Sequence, residues 1–211
     1  MARRLHPDHR HRIAAVGAVV GILLLSGCGQ PRENQELSGT HGRTIEQDLI
    51  PVVRAAGWDS VGQLREQSCL GDTDPKDAAR QTKWLGTAAR ESSEDQARRQ
   101  AEEVARTAES LGWTPSESHG ARGDQLYGAE KDDLTLVVRH RTGGGHSTLS
   151  VAIHSPCLDM PEGHTMTRSE YDPMHGSNDP LYPNDDRSQF TNGRPKPFPE
   201  DSGTGSEGSS P

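Results

Sequence analysis

The sequence predicts an α+β domain in which two helices pack on one face of a mainly antiparallel sheet. Three observations predict it. Two segments carry apolar residues at helical spacing behind N-terminal capping patterns. Two later segments alternate apolar and polar residues on either side of a glycine run, the pattern of a hairpin with one buried face. Their order, a helix, two strands, a helix and three strands, is that of a layered α+β fold.

The first helix is expected over 44–56. Thr44-Ile45-Glu46-Gln47 has the capping-box form, and Ile45, Leu49, Val52, Val53 and Ala56 follow on one face. Pro51 lies inside this stretch, so the sequence predicts either a kink there or a helix that starts nearer Asp48. Strands are expected at about 64–70 and 82–89. The second helix starts at Ser93, with Gln96 three residues on. It carries Ala97, Ala101, Val104, Ala105, Ala108 and Leu111 as its stripe and stops at Gly112. That mostly alanine face permits close packing and has no functional weight.

Three further strands are expected at about 125–130, 134–141 and 147–155. Leu134, Leu136 and Val138 alternate with Thr135, Val137 and Arg139, and Leu149, Val151 and Ile153 alternate with Ser150, Ala152 and His154. Gly143-Gly144-Gly145 separates the two runs. A three-residue loop would place their apolar rows on opposite faces, so the register requires a loop of two or four residues, pairing Val138 with Val151 or Leu149.

Composition divides the rest of the chain. Residues 29–40 are polar with Pro and Gly and read as a flexible tether, giving a lipidated N-terminus and tether at 28–40. The domain is expected over 41–160, with Trp58, Trp84, Trp113 and Tyr127 as the large members of its core. Residues 161–211 hold most of the prolines with many Gly, Ser, Asp and Asn, and read as a disordered acidic tail. Tyr171, Tyr182, Phe190 and Phe198 are then solvated aromatics or short partner-binding motifs. Gly203 to Gly208 matches G-x-G-x-x-G without the strand and helix that the phosphate cradle needs, and is set aside.

The chain starts with Arg3, Arg4, Arg10 and Arg12, followed by the apolar run Ile13–Leu25 and the small residues Ser26 and Gly27. That is the order of a secretory signal, here over 1–27. The run is shorter than the ~20 residues of a membrane span. Leu25-Ser26-Gly27-Cys28 resembles the lipobox of bacterial lipoproteins, which implies cleavage before Cys28, diacylation of its thiol and anchorage to the cell membrane on the extracytoplasmic face. Arg3-Arg4 lacks the flanking residues of a twin-arginine signal.

With Cys28 lipidated, Cys69 and Cys157 remain, and an oxidising compartment allows them to pair. Two unpaired buried thiols are the alternative. The helix ending in Gly-Trp, the cysteine near Ser68-Cys69-Leu70 and the terminal Ser155-Pro156-Cys157 resemble small α+β lipoproteins of high-GC Gram-positive bacteria. That resemblance implies no activity.

Losing the four arginines and Asp8 of the leader takes the net charge from −8 to −11, which disfavours a nucleic-acid partner. Asp72-Thr73-Asp74 and Lys131-Asp132-Asp133 read as turns. His41, His119, His140, His146, His154, His164 and His175 read as ordinary surface histidines, with His140 and His154 too far apart along their hairpin to share a metal. No catalytic, cofactor or metal motif appears. The expected function is a binding or interaction module with an envelope protein as the possible partner. An accessory factor in envelope assembly would need an apolar groove, and an envelope hydrolase would need a Ser/His pair or clustered carboxylates.

Overall fold

The computed structural model describes residues 30–71, 74–116, 124–143 and 145–200. The leader, Cys28, Asp72, Thr73, His119 and the 203–208 glycine stretch lie outside them. The architecture is α+β, with three helices against a seven-stranded, mainly antiparallel sheet. In chain order these are α1 (Gln30–Ala55), β1 (Gln63–Ser68), α2 (Pro75–Ala78), β2 (Gln81–Glu91), α3 (Glu94–Ser110), β3 (Thr114–Pro115), β4 (Gln125–Lys131), β5 (Leu134–Gly143), β6 (His146–His154) and β7 (Leu158–Asp159). The sheet order is β1-β2-β6-β5-β4-β3, with β7 pairing the start of β2.

The hairpin register follows the apolar rows. Val138 pairs with Val151 and Leu136 with Ile153, and Gly143 faces His146 across a two-residue turn. All four apolar side chains are fully buried on the helix-covered face. Ser93 caps α3 as expected, its hydroxyl accepting from the Gln96 N–H, and Ala97, Ala101, Val104 and Ala108 are its buried stripe. At the β4–β5 turn Asp132 has φ 54°, a left-handed conformation that Asp tolerates better than most residues.

Helix α1 corrects the sequence reading. It runs 26 residues, straight through Pro51, and its first turns replace the expected tether at 28–40. The capping box at Thr44 is therefore interior and caps nothing. Intrinsic signals were weak because this extension is polar, and tertiary contacts hold it instead: Asn34 Nδ2 donates to the Asp159 carbonyl, and Ser38 and His41 are buried. The lower half contributes Ile45, Leu49, Val52 and Val53, all fully buried, so packing outweighs the lost hydrogen bond at Pro51.

Two glycines let α1 lie close to the sheet. A Cβ on Gly42 would sit 2.5 Å from the Trp84 ring, and one on Gly86 would sit 2.7 Å from Leu49 Cδ2. All three tryptophans are buried as expected, while Tyr127 is partly buried.

The second correction concerns the C-terminal segment. Residues 161–200 form a strap folded along the free edge of β1, so the folded unit does not end at 160. Glu66 N donates to Thr167 O, and Ser169 N donates to Leu64 O, both at 2.9 Å. These bonds cover an edge that would otherwise expose unpaired backbone groups. Tyr171, Tyr182 and Phe198 are buried, and only Phe190 among the tail aromatics is exposed. The strap's acidic residues work as turn formers: Asp172, Asp179 and Asp186 each accept from the backbone N–H two residues on. Met166 and Tyr182 join Ala78 and Ala79 of the α2 region in a second, smaller core.

The candidate functional site: a cleft backed by a buried carboxylate

Cys69 and Cys157 form a disulfide, with Cα atoms 6.2 Å apart. It joins the residue after β1 to the residue before β7, beside the start of α1 and the loop leading to α2. Immediately beyond, α2 and the strap enclose a cleft of about 720 Å³. Ala79, Met160, Leu181 and four prolines supply its apolar wall, and Lys76, Arg80 and Glu162 its charged rim. His164 also lines it.

His164 is tied to the sheet by Glu66. The Glu66 side chain projects from β1 on the same face as Leu64, the face covered by α1, and is 1% exposed. Its Oε1 accepts from the Ser38 hydroxyl at 2.5 Å and the Thr82 hydroxyl at 3.4 Å. Its Oε2 accepts from the Thr167 N–H at 2.9 Å and lies 3.2 Å from His164 Nε2. Trp84 Nε1 donates in turn to Ser38 Oγ. One carboxylate therefore joins α1, the sheet and the strap.

Burial alone would raise the Glu66 carboxyl. Hydrogen bonds from His164 and Ser38, the charge on His164 and the Thr167 N–H outweigh it, and the group is held below its ordinary value. The side chain of His164 is 6% exposed. Its Nδ1 is buried and has no partner among the described residues. An unmet buried polar atom costs about 1–3 kcal/mol.

The strap is locked beside this site by Arg168. Its guanidinium is fully buried, donating to Met174 O at 2.7 Å and to Asp179 Oδ2 at 3.0 Å. Nε lies 2.9 Å from Asp185 Oδ2, within ion-pair distance but off the line of a hydrogen bond. The guanidinium also stacks 3.7 Å from the Tyr182 ring centroid. Tyr182 donates to Glu66 O at 2.6 Å, and burial pushes its phenol up to about 12 against the pull of Arg65 and Arg168. Burial likewise raises the Asp185 carboxyl.

Two Ser/His groupings emerge: Ser38–Glu66–His164, whose members the sequence separates widely, and His140–Ser147, seven residues apart on the β5–β6 hairpin. In Ser38–Glu66–His164 the carboxylate sits between serine and histidine, so the imidazole does not touch the hydroxyl. Nucleophilic activation requires the base next to the hydroxyl, and the group that holds Ser38 is a carboxylate of lowered basicity in a closed interior. In the second grouping His140 Nε2 lies 2.6 Å from Ser147 Oγ and 3.2 Å from the Ser92 carbonyl. A carbonyl only accepts, and a nitrogen donating its hydrogen there keeps no lone pair to receive the serine proton. Both arrangements fasten elements together.

The remaining histidines divide. His41 corrects the expectation of a surface residue: it is buried against Asp133 at 2.9 Å, as His164 is against Glu66. Asp133 and Lys131 are thus used twice, in the β4–β5 turn and in contacts to α1, where Lys131 Nζ meets Asp48 Oδ2 at 2.8 Å. His146 is exposed beside Glu91. His154 and His140 lie on one hairpin, with His154 opposite Thr135 and His140 opposite Leu149. Among the described residues no group of three or more side chains is placed to hold a metal ion, and no helix is long and apolar enough to cross a membrane.

Glu66 escaped the sequence reading, although its position two residues from Leu64 in a strand put it on the core face. His164 and Arg168 carried no such signal, since their burial depends on a strap without periodicity. No protein-family model, curated protein or solved structure matches this chain.

Proposed function

We propose that this chain is an envelope lipoprotein, diacylated at Cys28 and held on the extracytoplasmic face of the cell membrane. Its folded unit acts as a binding module. The L-S-G-C sequence after a short apolar run supports the anchor, and the Cys69–Cys157 disulfide supports an oxidising compartment. The observation that carries the binding reading is the cleft of about 720 Å³ between α2 and the strap. Its size lies within the range of ligand pockets, and it combines an apolar wall with a charged rim and the His164 side chain that Glu66 holds. A ligand or envelope partner enters between the charged rims and meets His164 at the wall.

The anchor is tested by Cys28→Ala, which abolishes acylation in intact-mass analysis and releases the protein from the membrane fraction. Membrane retention of the variant as processed protein would overturn it. For the cleft, a photo-crosslinker replacing Leu181 captures the ligand in intact envelopes. The same group replacing Thr87, on the sheet face away from the helices, does not. Equal capture from both positions, or capture from Leu181 that survives His164→Ala and Met160→Asp together, would overturn the assignment.

A further inference from the structure

We infer that the folded unit stands directly on the bilayer, with the end formed by the start of α1, β7 and the Cys69–Cys157 disulfide facing the lipid surface. The inference rests on the lipidation of Cys28 proposed above and adds an orientation to it.

The covalent geometry is tight. Helix α1 is described from Gln30 onward, and in the sequence Gly29 alone stands between that residue and Cys28. Two extended residue steps span about 7 Å at most. The headgroup layer is itself roughly 5–8 Å deep on each side of the hydrocarbon. The first turn of α1 is therefore held at the lipid surface, and a rigid 26-residue helix packed into the core transmits that position to the whole domain.

Hydrogen bonds identify what else lies at that level. Asn34 Nδ2, in the second turn of α1, donates to Asp159 O at 2.8 Å. The Asp159 carboxylate accepts from Gln81 Nε2 at 2.9 Å, and Gln81 O accepts from Cys69 N at 2.8 Å. Leu70 follows directly and is 54% exposed, while Leu37, three residues after Asn34, is 39% exposed. Among the described residues these are two of the four exposed large apolar side chains. The cleft opens beside the same end, since Met160 N donates to Arg80 O and both residues line it.

Strand β2 fixes the opposite end. Its eleven residues run away from Gln81, and at about 3.3 Å each they carry the sheet roughly 35 Å outward. There the β5–β6 turn and the cap of α3 face away from the membrane. Charge does not set this polarity, because Arg32, Lys76 and Arg80 near the membrane end are outnumbered by Glu33, Glu36, Asp74, Asp77, Asp159 and Glu162. The partner of this end is a zwitterionic bilayer surface, with Leu70 as its exposed apolar contact.

The test uses the full mature chain in phosphatidylcholine nanodiscs doped with a gadolinium-chelating lipid, with amide signals read by NMR. Protein whose acylation has been verified by intact mass should lose signal selectively around Asn34–Leu37, Leu70 and Lys76–Arg80, with Ser93 and His146 retained. Loss at His146, or uniform loss, would overturn the orientation while leaving the lipoprotein reading intact. An unacylated mass from the native host would overturn the lipoprotein reading instead. The orientation is then read on protein coupled to a maleimide lipid at Cys28, the one cysteine outside the disulfide. A flexible Gly/Ser insert between Gly29 and Gln30 should abolish the selectivity, and selectivity that persists would sink the short-link argument.

Discussion

The sheet and its helices are held together differently from the strap that borders them. Between α1, α3 and the sheet the contact is apolar, built from fully buried residues such as Ile45, Leu49, Leu136, Val151 and Ile153. The strap has no comparable row. Beside single apolar anchors, Tyr171 and Phe198 in the main core and Met166 and Tyr182 in the smaller one, it is fastened by buried charged and polar groups, Arg168 and Asp172 on its own side and Glu66 on the sheet's. Apolar burial is additive and tolerant of small shifts, whereas a buried ionic contact depends on every partner being present. The two regions should therefore fail in different ways: the core by gradual loss of stability, the strap by release at single residues.

Glu66 gives the largest expected effect because it belongs to both regions. Glu66→Ala strands Ser38, His164 and Thr167 at once, and removing one partner of a buried pair costs about 3–5 kcal/mol. Denaturant unfolding followed by tryptophan fluorescence reads it. A loss under about 1 kcal/mol would show the carboxylate to be incidental to the interface.

The same residue sets an acid response. Its folded-state carboxyl lies below the ordinary value of 4.5, so its stabilisation is fully present above that pH and is lost as pH falls through the folded value. Asp185 runs the other way. Burial raises it above 3.8, so its contribution is present below that pH and is lost as pH rises through the folded value. Glu66→Gln should flatten the acid limb of the stability profile, and Asp185→Asn should not. An unchanged acid limb in Glu66→Gln would place the dependence elsewhere.

Arg168→Met sharpens the comparison by acting on the strap alone. It leaves Asp185 buried without its cation and should cost about 3 kcal/mol, the low end for such a break because Asp179 is one-third exposed and rehydrates. Hydrogen exchange should accelerate over 165–190 while the β5–β6 amides stay protected. Uniform acceleration would mean that strap and core unfold as one unit.

What the sequence made legible follows the same division. The β5–β6 register and the α3 stripe were readable because apolar side chains repeat with the period of the element that buries them. The strap was unreadable by that logic, and its composition pointed the wrong way. Its Pro, Asp, Gly and Ser content is that of a disordered chain, yet Asp172, Asp179 and Asp186 use it to build successive turns. The first turns of α1 were hidden for a related reason: Ser38 and His41 are buried through partners some 30 and 90 residues away, Glu66 and Asp133. The candidate cleft inherits this blindness, since its wall comes from α2 and the strap.

Gly42 marks where the two kinds of contact meet on one helix. Gly42→Ala introduces a methyl that the Trp84 ring must yield to, and overpacking of this kind costs about 1–3 kcal/mol. Because Trp84 also donates to Ser38, a ring displaced by that methyl loosens Ser38 and with it the Glu66 cluster. Coupling is the diagnostic. In a double-mutant cycle Gly42→Ala and Glu66→Gln should be non-additive by more than about 0.5 kcal/mol, and simple additivity would show the ring to be independent of the carboxylate.

Ser93→Ala should have the smallest effect, at about 1 kcal/mol for the loss of a side-chain cap. The cap was among the plainest signals in the sequence, yet the residue is worth least, since the alanine stripe of α3 stays buried whether or not the first turn frays. Thermal unfolding reads the loss, and exchange confined to 94–97 shows that it is local. A cost approaching that of Glu66→Ala would mean that the α3 terminus, with Ser92, His140 and Ser147 bonded beside it, is a cooperative part of the core. The division between an apolar interior and a polar fastening would then not apply at the distal end of the sheet.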